Sequence, residues 1–318
     1  MVLVSAVIPT RGRPELLLRA VRSVLAQTLR EIEAVVVIDG QDLATEHALE
    51  TLAREDGRVR VIALPVSVGG SDARNRGVAE ASGKWIAFLD DDDEWLPGKL
   101  EAQLEAVAAS TAPVVIGTCK IIARTPGNDY VWPRRMPEPG EPICEYLLAR
   151  RTLSRGEGSI QTSTFFVRRS LMLGQPFKSG QLKHQDTEWL LRVGRLPGAE
   201  AVFVNEVMAI HYIEEERASV SSKANWRYSL AWVRSDRHLF TPRALTGFVL
   251  HQIAPEASEQ GEWRAFPMLL FEVLRHGKAS LRDYAIFLAM WVLPRRRRRY
   301  LRDWIARRPA LRPLVHSR

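Results

Sequence analysis

The chain has 318 residues, 46% of them hydrophobic and 26% charged, which is the composition of an ordinary globular protein with enough apolar material for a sizeable core. Its formal charge of +8 is concentrated at one end: residues 295–318 hold ten arginines against a single acid, Asp303, a net of +9 that leaves the rest of the chain at −1. A nucleic-acid-binding domain spreads its positive charge over a folded face among aromatics, so charge confined to a tail excludes nucleic acid as the expected partner. Cys119 and Cys144 stand in no metal-like spacing and suggest no disulfide framework, so a reducing, cytoplasmic setting is expected. Met1 to Pro9 has no basic start and does not read as a signal peptide. The longest apolar run, Tyr284 to Leu293, is about half the roughly 20 residues that a membrane-spanning helix needs.

Residues Leu3 to Ile8 read as a buried strand, followed by a turn, Pro9 to Pro14, and by a helix whose Leu17, Val21, Val24 and Leu25 share one face. Ala34 to Ile38 reads as a second buried strand ending in Asp39-Gly40. A helix over Leu43 to Arg54, a strand over Val59 to Leu64, a glycine turn at Gly69-Gly70 and a capped helix over Ser71 to Ser82 lead to a strand at Trp85 to Leu89. Strands alternating with helices predict an α/β fold with a mostly parallel, doubly wound sheet flanked by helices, with right-handed crossovers. A helix from Leu100, a strand at Val114 to Thr118, a long loop near the cleft over Pro126 to Pro142 and a strand over Gln161 to Arg169 follow. A polar cluster from His184 then opens another helix, and His211 follows the last strand. Beyond about residue 222 the pattern is helical only: Trp226 to Phe240, Pro242 to Ile253, Glu262 to His276, Ser280 to Leu293 and Tyr300 to Arg307.

The chemistry centres on Asp90, Asp91, Asp92 and Asp93, four acids at the end of the Trp85 strand. Open α/β sheets bind ligands outside the carboxyl ends of their strands. Carboxylates so close raise one another's pKa unless a cation compensates them, and oxygen ligands suit Mg²⁺ or Mn²⁺. Asp39 ends a second strand, where an acid can accept a hydrogen bond from a base or ribose. Arg74, on the helix opening beside the site, can reach a diphosphate. The bland alternatives are an Asp-Gly turn for Asp39, a surface arginine for Arg74 and a helix cap for Asp186.

The stretches Val7 to Arg13, Val35 to Gly40 and Ala73 to Leu100 together resemble glycosyltransferase family 2 over roughly residues 3 to 215. That resemblance implies a GT-A fold, an inverting transfer from a nucleotide-diphosphate sugar (a UDP-sugar foremost), and a glycan or lipid-linked acceptor in cell-surface polysaccharide synthesis. It puts Pro9, Thr10 and Asp39 at the nucleotide base, and Asp90 and Asp92 on the DxD motif with Asp92 as metal ligand. Arg13, Arg74 and Asp91 fall among the donor-binding residues. Asp186, in the cluster His184 to Arg192, falls in the place of the catalytic base, with Gln185 where the family has Glu. His211 is a further candidate toward the metal. Two departures are Arg11-Gly12 for the usual Tyr-Asn, and Ile38 to Gln41 for Asp-Asp-Gly-Ser.

The expected organisation is a catalytic domain over 1–222, with a nucleotide-binding half to about 118 and an acceptor half from 119, and a helical region over 223–318. The apolar run ending at Leu293, the arginines at 295–299 and the amphipathic remainder together suggest an anionic membrane surface as a partner, the protein lying peripherally on the cytoplasmic face. Two rivals belong to other classes: a sugar-nucleotide nucleotidyltransferase, which calls for a glycine-rich phosphate loop in the first turn, and a non-catalytic carbohydrate-binding or scaffold protein.

Overall fold

The computed structural model describes residues 1–152, 156–213 and 225–293. The chain forms two units, Met1–Leu147 with Gly158–Ala224, and Leu148–Glu157 with Asn225–Arg318. In the first unit the order is β1 (Val4–Thr10), α1 (Pro14–Leu25), β2 (Ile32–Ile38), α2 (Leu43–Glu55), β3 (Val59–Ala63), α3 (Gly70–Glu80), β4 (Trp85–Phe88) and β5 (Glu94–Trp95). It continues with α4 (Lys99–Ala109), β6 (Val114–Arg124), β7 (Asp129–Trp132), α5 (Ile143–Leu148), β8 (Phe166–Arg168), α6 (Arg169–Gly174), α7 (Gln185–Val193) and β9 (Ala199–Tyr212).

Strands β1 and β2 are near-continuous apolar runs because both faces of the sheet are covered. In β2, Ala34, Val36 and Ile38 pack with Leu17, Val21 and Val24 of α1, whereas Val35 and Val37 join Ala73 and Val78 of α3 in a second cluster. Helix α3 approaches closely because it carries Gly77: a Cβ there would lie 2.4 Å from Val7 Cγ1.

The sheet runs β3-β2-β1-β4-β8-β6-β9-β5, with β7 paired to β6. Its first four strands are parallel as expected, but β8 is antiparallel to β4 and β6, and β5 and β7 are antiparallel to β9 and β6. The sheet is therefore mixed, with its parallel pairs in β3-β2-β1-β4 and between β6 and β9. Three local expectations also change. The predicted strand over Gln161 to Arg169 begins as a tight 3₁₀ turn at Thr162–Thr164, closed by the Gln161 side chain accepting from the Ser163 amide; only Phe166–Arg168 is strand. The presumed loop over 126–142 contains β7, hairpinned onto Ile121–Arg124, and none of it lines the cleft described below. Helix α3 has no side-chain cap of its own; it starts after Gly69 at φ +89°.

The second unit contains α8 (Trp226–Ser235), α9 (Pro242–Phe248), α10 (Ala254–Glu259), α11 (Ala265–His276) and α12 (Leu281–Val292). Between α9 and α10 the chain stays helical through a π-type turn at Val249–Ile253 instead of stopping at Ile253. Pro255 lacks the amide that would close the next α-turn, and the helix widens just before it. Two aromatic groups fill this unit, Trp232 with Phe240 and Phe248, and Phe266 with Phe287 and Trp291. Among the described residues no helix is long and apolar enough to cross a membrane. The arginine run 295–299 and the predicted helix Tyr300 to Arg307 lie outside the described residues.

Candidate active site

Parallel register brings the ends of β1, β2 and β4 to one edge of the sheet, with Thr10 beside Ile38 and Val7 beside Phe88. The residues just past those ends therefore share a cleft of about 390 Å³. Pro9, Thr10, Arg13, Asp39, Arg74, Asp90, Asp91 and Asp92 line it, and Gln185 and Asp186 at the start of α7 line it too. Of the residues singled out by sequence, His211 and the fourth acid, Asp93, are outside its lining.

Asp39 is buried, and its carboxylate accepts from the amides of Val68 (2.6 Å) and Gly69 (3.0 Å) and from Ser67 Oγ (2.8 Å). It is thus more than a turn residue, because it fixes the chain that leads into α3 and sets the amino end of that helix in the cleft, where a helix dipole favours negative charge. Gly69 takes the positive φ that this entry demands.

The acids are not left to repel one another. Arg13 Nη1 bridges Asp91 (3.2 Å) and Asp92 (3.0 Å), and Arg74 Nη2 reaches Asp90 at 2.5 Å while its Nη1 donates to Gln185 Oε1 at 3.0 Å. Arg19 donates to the backbone carbonyl of Asp92 at 2.6 Å. Asp91 is turned inward and also accepts from Thr10 Oγ1 (2.7 Å). Burial pushes its carboxyl upward, and the Asp90 charge adds to this, against the lowering effects of Thr10 and Arg13. The Arg74 Nε is buried with no hydrogen-bond partner among the described residues.

Asp186 occupies the second position of α7 and is not its cap; the cap position is His184, at φ +65°. The Asp186 carboxylate accepts from the Thr187 amide (2.7 Å) and from Thr162 Oγ1 (3.3 Å). Burial, with Lys183 adding, pushes the His184 imidazole down to about 3, so this histidine of the cleft wall is uncharged at neutral pH.

Sequence reading missed the support beneath the site. Asp93, the fourth acid, is fully buried and accepts from Ser163 Oγ (2.6 Å), Gln161 Nε2 (2.7 Å) and the Tyr212 amide, and it pairs with His211 Nδ1 (3.0 Å). Burial opposes a proton on His211, but the bond to Asp93 and the charges of Asp93, Asp90 and Asp92 outweigh it and raise its pKa. Ser163 also accepts from the Asp90 amide (3.0 Å), and its neighbour Thr162 holds Asp186, so the turn Thr162–Thr164 touches both sides of the cleft. Below it, Trp95 Nε1 donates to Ser163 O (2.7 Å) and Gln103 Nε2 to Thr164 O (2.8 Å). Gln103 accepts in turn from the wholly buried Lys99 (2.6 Å), whose ammonium lies 4.0 Å from the centre of the Trp95 ring. The signal in the sequence was four consecutive polar residues, Gln161 to Thr164, placed immediately before the apolar Phe165-Phe166-Val167.

A divalent cation is chemically suited to Asp90 and Asp92, which are hard oxygen donors about a quarter exposed at the cleft (26% and 23%). No three Asp, Glu, His or Cys side chains converge to hold a metal among the described residues. One or two protein carboxylates, with the other positions filled by a ligand, is the pattern by which Mg²⁺ binds together with substrate phosphates. The first turn is a poor phosphate loop: the Gly12 amide is committed to Asp42 (2.7 Å).

A half-parallel, half-mixed sheet with acids and arginines at its strand ends and a further carboxylate across the cleft is the architecture of the GT-A glycosyltransferases. S. aureus TarS 1–349, solved in complex with UDP-GlcNAc, shares the fold with a TM-score of 0.56 at 17% identity, over 91% of this chain and 89% of that one. So does the mannosyltransferase PcManGT of Pyrobaculum calidifontis, solved with GDP-Man and Mn²⁺, with a TM-score of 0.52 at 16% identity over 95% and 84%. Among sequence relatives, the glycosyltransferase GlyG of Streptococcus pneumoniae is 25% identical over 76% of this chain and 79% of its own length. The GalNAc(5)-diNAcBac-PP-undecaprenol beta-1,3-glucosyltransferase of Campylobacter jejuni is 31% identical over 37% of this chain and 38% of its own length. The profile of Glycosyl transferase family 2 matches residues 5–173, and the chain belongs to that family.

Proposed function

We propose that this glycosyltransferase moves a sugar, with inversion, from a nucleoside-diphosphate sugar, foremost a UDP-sugar, to a hydroxyl of a glycan or lipid-linked acceptor in cell-surface polysaccharide synthesis. The observation that carries the reading is the cleft itself: the Asp90 to Asp92 acids with Arg13 and Arg74 line it together with Asp186. In this reading Pro9, Thr10 and Asp39 receive the nucleoside. Arg13 and Arg74 exchange a carboxylate partner for the diphosphate, with charge-assisted bonds that strengthen as the leaving group gains charge. Asp92 and Asp90 would hold Mn²⁺ or Mg²⁺, which when bound acts as a Lewis acid on the departing diphosphate. The manganese in the PcManGT complex and the UDP-sugar in the TarS complex support these assignments by analogy of fold. His211, tied to Asp93, is retained as a candidate in the metal's surroundings.

The acceptor oxygen attacks the anomeric carbon as the carbon–oxygen bond to the diphosphate breaks, and the Asp186 carboxylate takes the acceptor's proton. One displacement inverts the centre. Residues 1–222 would form the catalytic domain, and a lipid-linked acceptor, as in the name of the Campylobacter relative, would draw the enzyme to the cytoplasmic face of a membrane as a peripheral protein. The test is Asp186→Asn with UDP-sugars: donor binding should persist while turnover falls by roughly 100-fold or more, the contribution of a positioned acid–base group. Near-normal turnover in that variant would remove Asp186 from the mechanism.

A further inference from the structure

The second unit turns an apolar surface outward. On α12 the solvent-facing positions Leu281, Ala285, Leu288 and Val292 recur every three or four residues, and Leu281 and Val292 are 90% and 74% exposed. On α11, Met268, Phe271 and Leu274 form a second such stripe, with Phe271 and Leu274 57% and 64% exposed. Behind the stripes, Trp263, itself exposed, packs against the buried Trp291 with ring centroids 5.5 Å apart, and Phe266 stacks on the buried Phe287 at 4.8 Å. A helix on the surface of a globular domain normally gives its outer face to polar residues, and here both helices reverse that rule.

The exposed charges on these two helices and on the segment between them are positive. Helix α11 has a single acid, Glu272, which is buried and held by Arg234 and Arg237 at 2.8 Å each. Helix α12 has only Asp283, which is locked in the capping box with Ser280 and paired with His251 at 3.4 Å. The exposed charges on the two helices and at their ends are Arg264, Arg275, Lys278 and Arg282, and the Arg275 guanidinium lies 6.0 Å from the centre of the Phe271 ring; on the side of α10 the acids are Glu259 and Glu262, the latter paired with Arg227 at 3.0 Å. Immediately after Leu293 the sequence continues into Arg295 to Arg299 and five further arginines.

From this we infer that the outer face of α11 and α12 is a docking surface for an anionic lipid bilayer. Apolar side chains flanked by cations, with tryptophan between them, match the boundary between acyl chains and anionic headgroups. A second copy of the chain is a poorer occupant, because a two-fold contact sets each patch against itself and would oppose Arg275 and Arg282 to cations of the partner. The surface itself stands on the second unit alone; its purpose, bringing a lipid-linked acceptor to the cleft, rests on the proposed function.

The test uses the full chain and co-sedimentation with vesicles of phosphatidylcholine alone or mixed with phosphatidylglycerol, at low and high salt. The wild type should bind the mixed vesicles at low salt and release as salt rises. The double variant Phe271→Ser, Leu288→Ser, at exposed positions and with unchanged net charge, should bind them about 10-fold less or weaker still while keeping its melting temperature. Its hydrolysis of UDP-sugar in vesicle-free buffer should be unchanged. Equal vesicle binding by variant and wild type would overturn the inference. So would a wild type that binds no vesicle but forms a dimer that the variant loses, which would give the face to a second copy. Vesicle binding that behaves as expected in a protein with no affinity for nucleotide sugars would uphold the surface and refute the proposed function.

Discussion

Lys99 is the residue whose burial most conflicts with its chemistry. Its ammonium has no exposure, one hydrogen-bond acceptor in Gln103 and the face of Trp95, and burial pushes its pKa down to about 8. The unfolded chain holds this proton to about 10.5 and the folded chain releases it near 8, so between those values the unfolded state binds more protons and stability rises with pH. The difference corresponds to about 3 kcal/mol. Nearby Cys119 acts in the opposite sense, because burial pushes its thiol up to about 11 and the unfolded chain loses that proton first. Lys99→Met removes the first contribution and leaves the second. Urea unfolding at pH 7 and pH 10 should therefore show the wild type gaining about 2–3 kcal/mol on the variant over that interval; a constant difference would mean that Lys99 holds its proton in the folded chain as it does in the unfolded one. None of this was legible in the sequence, where Lys99 simply precedes the helix expected from Leu100. The acid run was legible as a cluster, but its division of labour was not. Asp92 and Asp90 face the cleft, Asp91 braces Thr10 and Arg13, and Asp93 is buried under the site, a partition set by a turn whose geometry no periodicity encodes.

At the level of elements, packing distance decides what the pattern of helices and strands leaves open. Gly77 lets α3 lie against β1, and an alanine there would meet the branched, immobile Val7 in the core. Gly77→Ala should destabilise the first unit by about 1–3 kcal/mol in urea unfolding, the range for overpacking a rigid core site; a change within error would show that α3 can move outward freely. The alternation of β1 to β4 with α1 to α3 could be read from the sequence because continuous apolar runs and helical faces differ in period. The antiparallel entry of β8 could not be, since strand direction depends on the connection and not on residue type. Threonines favoured a strand at Gln161 to Thr164, and the Gln161 side chain closed a turn there instead.

Across the whole molecule, charge and chemistry are separated. The cleft belongs to the first unit, and the arginine-rich end belongs by sequence to the second, with a near-neutral remainder. Composition alone revealed that division, and the family likeness in Val7 to Arg13, Val35 to Gly40 and Ala73 to Leu100 revealed the cleft's residues, since Asp39, Arg74 and Asp90 to Asp92 do meet there. The outward apolar stripes of α11 and α12 were hidden, because a one-dimensional hydrophobic run does not say which of its sides faces water. The central claim is that the cleft takes a nucleotide diphosphate through Asp92 and a divalent ion. Calorimetric titration of UDP into the wild type and Asp92→Asn, with and without Mn²⁺, tests it most directly. The expected result is UDP binding by the wild type that requires Mn²⁺ and is lost in Asp92→Asn with the melting temperature preserved. Equal, Mn²⁺-dependent binding by both proteins would contradict it.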